Sequence, residues 1–142
     1  MAAKPDARYD GEVTNRSGER RRTRKARRRT SVTVDDVRSI ASTLPRSYEV
    51  VVRGRLKFRV GQLVYVAFSH DGTIMGFAFP KDLRNALVES DPDKFLLPSD
   101  SDLRYNWVCV RIDAIDREEA WALVVAAWRM CVPKKVAAAF DG

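Results

Sequence analysis

Between Tyr48 and Phe79 the chain is punctuated in a way that leaves few folds open. Tyr48 to Arg53 carries the β-branched run Val50-Val51-Val52, and Leu56 to Val60 alternates apolar with basic residues. Leu63 to Phe68 is almost continuously apolar, and Thr73 to Phe79 is apolar again. Each segment has strand length and strand-forming composition. Gly61-Gln62 reads as a tight turn, and His70-Asp71-Gly72 supplies the positive φ that hairpin turns need. Connections this short cannot carry a crossover, so neighbouring strands must pair antiparallel.

Helical patterns flank this meander. Thr33-Val34-Asp35-Asp36 is an N-cap signal, with Asp standing where a fuller capping box has Glu or Gln. Val37, Ile40, Ala41 and Leu44 then fall on one stripe and Pro45 stops the run, which predicts a helix over residues 34–44. Pro80 suits a first helical turn, with Leu83, Ala86 and Leu87 as the buried face and Asp91-Pro92 as the end. Phe95, Leu96 and Leu97 read as an irregular segment packing back on the core, and Asn106 to Asp113 as a fifth strand. Asp116-Arg117-Glu118-Glu119 opens a last helix that buries Trp121, Val124, Val125 and Trp128 and runs to about Cys131, before Pro133. The expected fold is α+β: a two-layer sandwich, an antiparallel sheet of about five strands with the N- and C-terminal helices on one face.

At 142 residues the chain suffices for one core. It has no apolar run of transmembrane length and no apolar N-terminal signal segment, so a cytoplasmic protein without a membrane partner is expected. Cys109 and Cys131 lie in apolar runs and read as buried thiols. The net charge of +7 is not spread evenly: residues 1–30 hold 11 Lys/Arg against 4 Asp/Glu, whereas residues 31–142 hold 15 of each. Residues 1–30 therefore read as a disordered, Arg-rich tail and residues 31–142 as the domain. In the tail, Arg20, Arg21, Arg22, Arg24, Lys25, Arg27, Arg28 and Arg29 form a cationic block. It reads either as a nonspecific nucleic-acid arm or as a solvated extension.

Within the neutral domain, positive charge concentrates on one strand. In an extended Arg53–Val60, the side chains of Arg53, Arg55, Lys57 and Arg59 share a face at roughly 6.5 Å intervals, while Leu56, Phe58 and Val60 face the core. That spacing suits a phosphate backbone, with Arg46, Lys134 and Lys135 as auxiliary cations; nothing points to reading of bases. The plainer reading is a solvent-facing strand whose cations discourage edge pairing.

Val34 to Val136 resembles the MmcQ/YjbR family of small bacterial proteins. The matching features are Val34-Asp35-Asp36-Val37-Arg38-Ser39-Ile40-Ala41 ending in Leu44-Pro45, and Leu56-Lys57-Phe58-Arg59-Val60-Gly61. Asp91-Pro92-Asp93-Lys94-Phe95, Trp107-Val108 with Arg111-Ile112-Asp113, and Ala127-Trp128 before Pro133-Lys134-Lys135 follow in order. The resemblance implies a CyaY-like fold and DNA binding through β-hairpin wings, the double-wing motif. Gln62 stands where the family often has a hairpin-tip Lys.

No catalytic machinery is recognisable, and a non-enzymatic protein without cofactor is expected. His70 has no evident nucleophile or carboxylate to work with and reads as a turn residue. Asp113, Asp116, Glu118 and Glu119 read as helix-capping acids rather than metal ligands. A frataxin-like iron role, raised by the fold similarity, lacks the acidic surface it would need. Gly-rich phosphate loops, zinc spacing and nucleophile elbows are absent. The expected function is DNA binding with weak sequence preference; the alternative is an adaptor for a protein or small ligand, which an exposed Trp107 would favour.

Overall fold

The computed structural model describes residues 4–5 and 32–141. Helix α1 spans Val34–Ala41, and the strands β2 (Ser47–Val52), β3 (Arg55–Val60), β4 (Leu63–Phe68) and β5 (Ile74–Ala78) follow. Helix α2 (Lys81–Ser90), a short β6 (Phe95–Leu96) and β7 (Trp107–Arg111) lead to α3 (Arg117–Arg129) and α4 (Lys134–Asp141). The sheet is antiparallel in the order β2-β3-β4-β5-β7-β6. A two-residue strand β1, Lys4–Pro5, pairs with the start of β4. The α+β class and the antiparallel meander are as the sequence implied. The rest of the proposed tail, including its arginine block, lies outside the described residues.

Local chemistry explains the element ends. Thr33 Oγ1 accepts from the Asp36 N–H at 3.1 Å while Asp36 Oδ2 accepts from the Thr33 N–H at 2.9 Å, so Asp completes a capping box here. Those bonds hold the Asp36 carboxyl below its usual range. Helix α1 ends at Ala41, short of the expected Leu44, which is nonetheless buried beyond a turn. Arg53 and Gly54 both have positive φ, giving a primed two-residue turn between β2 and β3. Between β4 and β5, Asp71 Oδ1 accepts from the Thr73 N–H, the Thr73 hydroxyl and the Ser69 hydroxyl at 2.7–3.1 Å.

The core lies between the sheet and α1 with α3. Helix α3, capped by Asp116 accepting from the Glu119 N–H, packs against α1 and across β4 and β5. It buries Ala120, Val124, Val125, Ala127 and Trp128. Trp107 to Val110 of β7 are fully enclosed. Gly76 on β5 is required by that enclosure, because a Cβ there would stand 2.6 Å from Nε1 of Trp107.

Three expectations are corrected. Leu83 and Ala86 are exposed, because α2 turns Arg84 inward instead. The Arg84 guanidinium donates to the carbonyls of Leu103 and Tyr105 in the loop before β7 and of Trp107 at its start, at 2.8–3.0 Å. Trp121 is 42% exposed, its ring set 6.3 Å from that of Phe140 on α4, a helix the sequence reading did not anticipate. Phe95 and Leu96 form an edge strand on β7 rather than an irregular segment.

Candidate nucleic-acid interface

The four cations of the basic stretch do not form one open face. Arg53 sits in the β2–β3 turn with φ 53°, exposed at the tip and outside the strand. Arg55 and Arg59 are half-buried, and Lys57 is only 2% exposed. Each of these three strand cations already has an interaction within the chain. The reason is position: β3 is internal, so Lys57 lies in a row that runs Val50–Lys57–Ala67–Gly76–Cys109 across the sheet. A cation in such a row needs partners, since an unpaired buried charge is very costly.

Exposed positive charge gathers at one end of the sheet, around the β3–β4 turn. Gly61 leads that turn with φ 61°, and Tyr48 Oη donates to the Gly61 carbonyl at 2.6 Å. Arg59 Nη1 reaches the same Tyr48 oxygen at 3.5 Å. Arg46 stands beside the turn at the start of β2, exposed, in the left-handed region with φ 68°. Few side chains hold that conformation without surrounding constraint. The constraint comes from α3: Trp128 Nε1 donates to the Pro45 carbonyl at 2.8 Å, and Ser47 shares a hydrogen bond with Tyr65. Lys134 and Lys135, both exposed, follow at the start of α4. Residues 42–48 and 59–64 meet here with Arg46 and Arg59, the Trp128–Pro45 bond brings the end of α3 alongside, and none of residues 42–48, 59–64 and 129–136 is Asp or Glu.

The opposite end carries both signs, with Arg53 and Arg55 at the β2–β3 turn and a group of capping acids beside them. The N-terminus of α1 meets the β4–β5 loop, where a Cβ on Gly72 would lie 3.3 Å from Val34, and Arg117 at the start of α3 reaches Asp36 at 3.4 Å. Helices α1 and α3 therefore run side by side in the same direction. Their capping acids, with Asp71, collect at one end, and their C-termini point to the cations at the other, the arrangement their dipoles favour.

The remaining candidates are structural in character. Burial pushes the Tyr65 phenol up to about 12 and the Cys131 thiol up to about 12, so neither ionises near neutrality. Neither cysteine is disulfide-bonded. His70 is an exposed loop residue. Asp113 and Glu118 are exposed, Asp116 caps α3, and Glu119 pairs with Lys94 at 2.8 Å. Among the described residues no group of three or more His, Cys, Asp or Glu could hold a metal ion, and no helix is long and apolar enough to cross a membrane. Tyr48, which holds the turn, is the residue that sequence reasoning missed; its register opposite Arg59 follows from the β2–β3 turn.

The family model YjbR matches residues 42–130. The chain belongs to the YjbR family. The matched span begins just after α1 and takes in Arg46, Arg59 and Arg129, leaving Lys134 and Lys135 beyond it. A crystal structure of the Deinococcus radiodurans protein DR2400, with a domain of the DUF419 type, is similar to this YjbR chain at a TM-score of 0.59. The two are 20% identical over 69% of this chain and 77% of that one, a likeness of fold. A search of curated proteins gave no match.

Proposed function

We propose that this YjbR protein is a non-enzymatic, cytoplasmic DNA-binding protein that grips phosphates with the basic end of its sheet. One observation carries the reading: Arg46, exposed beside the β3–β4 turn, is held by the Trp128–Pro45 hydrogen bond next to the C-terminal end of α3, whose chain continues into the exposed Lys134 and Lys135. Phosphate binding draws on such a cluster through counterion release, which favours affinity over sequence discrimination. The hairpin wing keeps a part, with Arg59 flanking the turn. Arg53 lies at the far tip, about 20 Å away for a strand of this length, and belongs to another surface. Lys57 serves the fold rather than the ligand. The Arg-rich block from Arg20 to Arg29 adds a sequence-independent arm. Trp107 is fully buried, so the exposed indole that would favour an adaptor is not available.

The test is mobility shift and fluorescence anisotropy on a short duplex across a salt series. Arg46→Glu with Lys134→Glu and Lys135→Glu should abolish binding at moderate salt. Arg46→Gly should weaken binding while leaving the fold intact, because glycine accepts the left-handed backbone. Each lost phosphate contact lowers the slope of log K against log salt by about 0.9. Unchanged affinity in the triple variant would move the site elsewhere; a wild-type chain that fails to shift duplex DNA at low salt would end the DNA reading.

A further inference from the structure

We infer that Tyr48 is a stacking platform for an unpaired base, which makes single-stranded DNA the ligand class of the basic end. The inference rests on the DNA reading above and adds an aromatic ring to its cations. Two large aromatic side chains are exposed among the described residues, Tyr48 and Trp121. Trp121 is met by the Phe140 ring on the far side of the helices, whereas Tyr48, 43% exposed, stands at the β3–β4 turn.

Its surroundings are basic on the face that the ring occupies. Tyr48 is opposite Arg59 and Arg59 is opposite Val64, and β1 continues that row to Lys4. Cross-strand partners share a face of the sheet, so the phenol and the Arg59 guanidinium lie on the same side. Arg46, exposed, precedes Tyr48 by two residues. Glu49 is the nearest acid in the chain, and alternation turns it to the helix side, where Arg38 Nε donates to it at 3.0 Å.

The ring is also set before any ligand arrives. Its hydroxyl donates at 2.6 Å to the carbonyl of Gly61, two residues beyond Arg59 on the neighbouring strand. A phenol tied at its tip in that way leans along β3 instead of swinging free, so little rotamer entropy is left to lose on binding. Strand-borne aromatic rings flanked by cations hold single strands in a sequence-tolerant way: the base stacks on the ring and its phosphates meet the cations. A paired base keeps both faces inside the helical stack, so a duplex meets the cations alone. The ring therefore adds affinity for unpaired nucleotides on top of a phosphate contact that both forms share.

The test is fluorescence anisotropy of the full chain, at one salt concentration, with a short labelled oligothymidine and with a duplex of equal length. Tyr48→Leu should weaken single-strand binding roughly tenfold, within the range that stacking one base on a ring provides, and leave duplex binding unchanged. Tyr48→Phe keeps the ring and loses the bond to Gly61, and should bind both as wild type does. A strand carrying a fluorescent adenine analogue should lose emission on binding wild type and keep it on binding Tyr48→Leu. Far-UV circular dichroism checks that both variants fold. Equal losses for strand and duplex in Tyr48→Leu, or a Tyr48→Phe as weak as Tyr48→Leu, would overturn stacking and make Tyr48 a brace for the turn, with the phosphate reading intact. Thymidine monophosphate competing as well as the strand, nucleotide for nucleotide, would overturn it in favour of a free nucleotide. A wild-type chain that binds neither strand nor duplex would end both readings.

Discussion

Two residues show how single side chains set local structure. Gly76 faces the Trp107 indole at a distance no Cβ tolerates. Gly76→Ala should therefore cost about 1–3 kcal/mol in urea unfolding, as overpacked sites do. Asp71 makes a different claim, because its carboxylate accepts three bonds in the β4–β5 loop and its pKa is lowered mainly by those from Thr73. A folded pKa below the ordinary 3.8 means the contribution is complete above that value and lost as pH falls through the folded pKa. Asp71→Ala should be less stable than wild type at pH 7, and the gap should close as denaturation curves are repeated towards pH 2. Asp71-Gly72 was legible in the sequence as a turn, since its chemistry is local. Gly76 was not: only the register of β5 on β7 brings Trp107 over it.

Elements were legible where their causes lie inside them. The α1 cap, the meander and the α3 stripe each follow from neighbouring residues. Helix α2 misled because its inward face is chosen from outside. Leu83, Ala86 and Leu87 have helical spacing, yet the carbonyls of Leu103, Tyr105 and Trp107 need a donor, and Arg84 supplies it. Its buried guanidinium bears the cost, with desolvation lowering its pKa. Arg84→Met should destabilise the chain by about 3 kcal/mol by leaving buried acceptors unpaired. Hydrogen exchange should rise first in residues 97–106, whereas uniform protection would assign Arg84 a lesser part. Trp121 misled similarly: it shares a stripe with Trp128, but its outer face is met by Phe140 alone among the described aromatic rings.

At the scale of the whole molecule, net charge says little and its placement says more. Helices α1 and α3 lie side by side, so their capping acids share one end of a domain whose charges sum to zero. Arg46, Lys134 and Lys135 could each be picked out in the sequence as cations near a strand or helix start. What brings Arg46 beside the end of α3 could not, because it rests on a hydrogen bond between residues 83 positions apart. Nor could the enclosure of Lys57, which follows from β3 lying second from the edge rather than at it.

That long-range bond between Trp128 and Pro45 also orders events in time. The pairings of β2 with β3 and β3 with β4 join close neighbours in sequence, and contacts of that kind close early. On a ribosome the meander is complete long before the codon for Trp128 is read. Arg46 emerges among the first residues of the domain yet gains its tether almost last. The basic end around Arg46 is therefore expected to take its final shape late in folding, since its tether joins residues 83 positions apart.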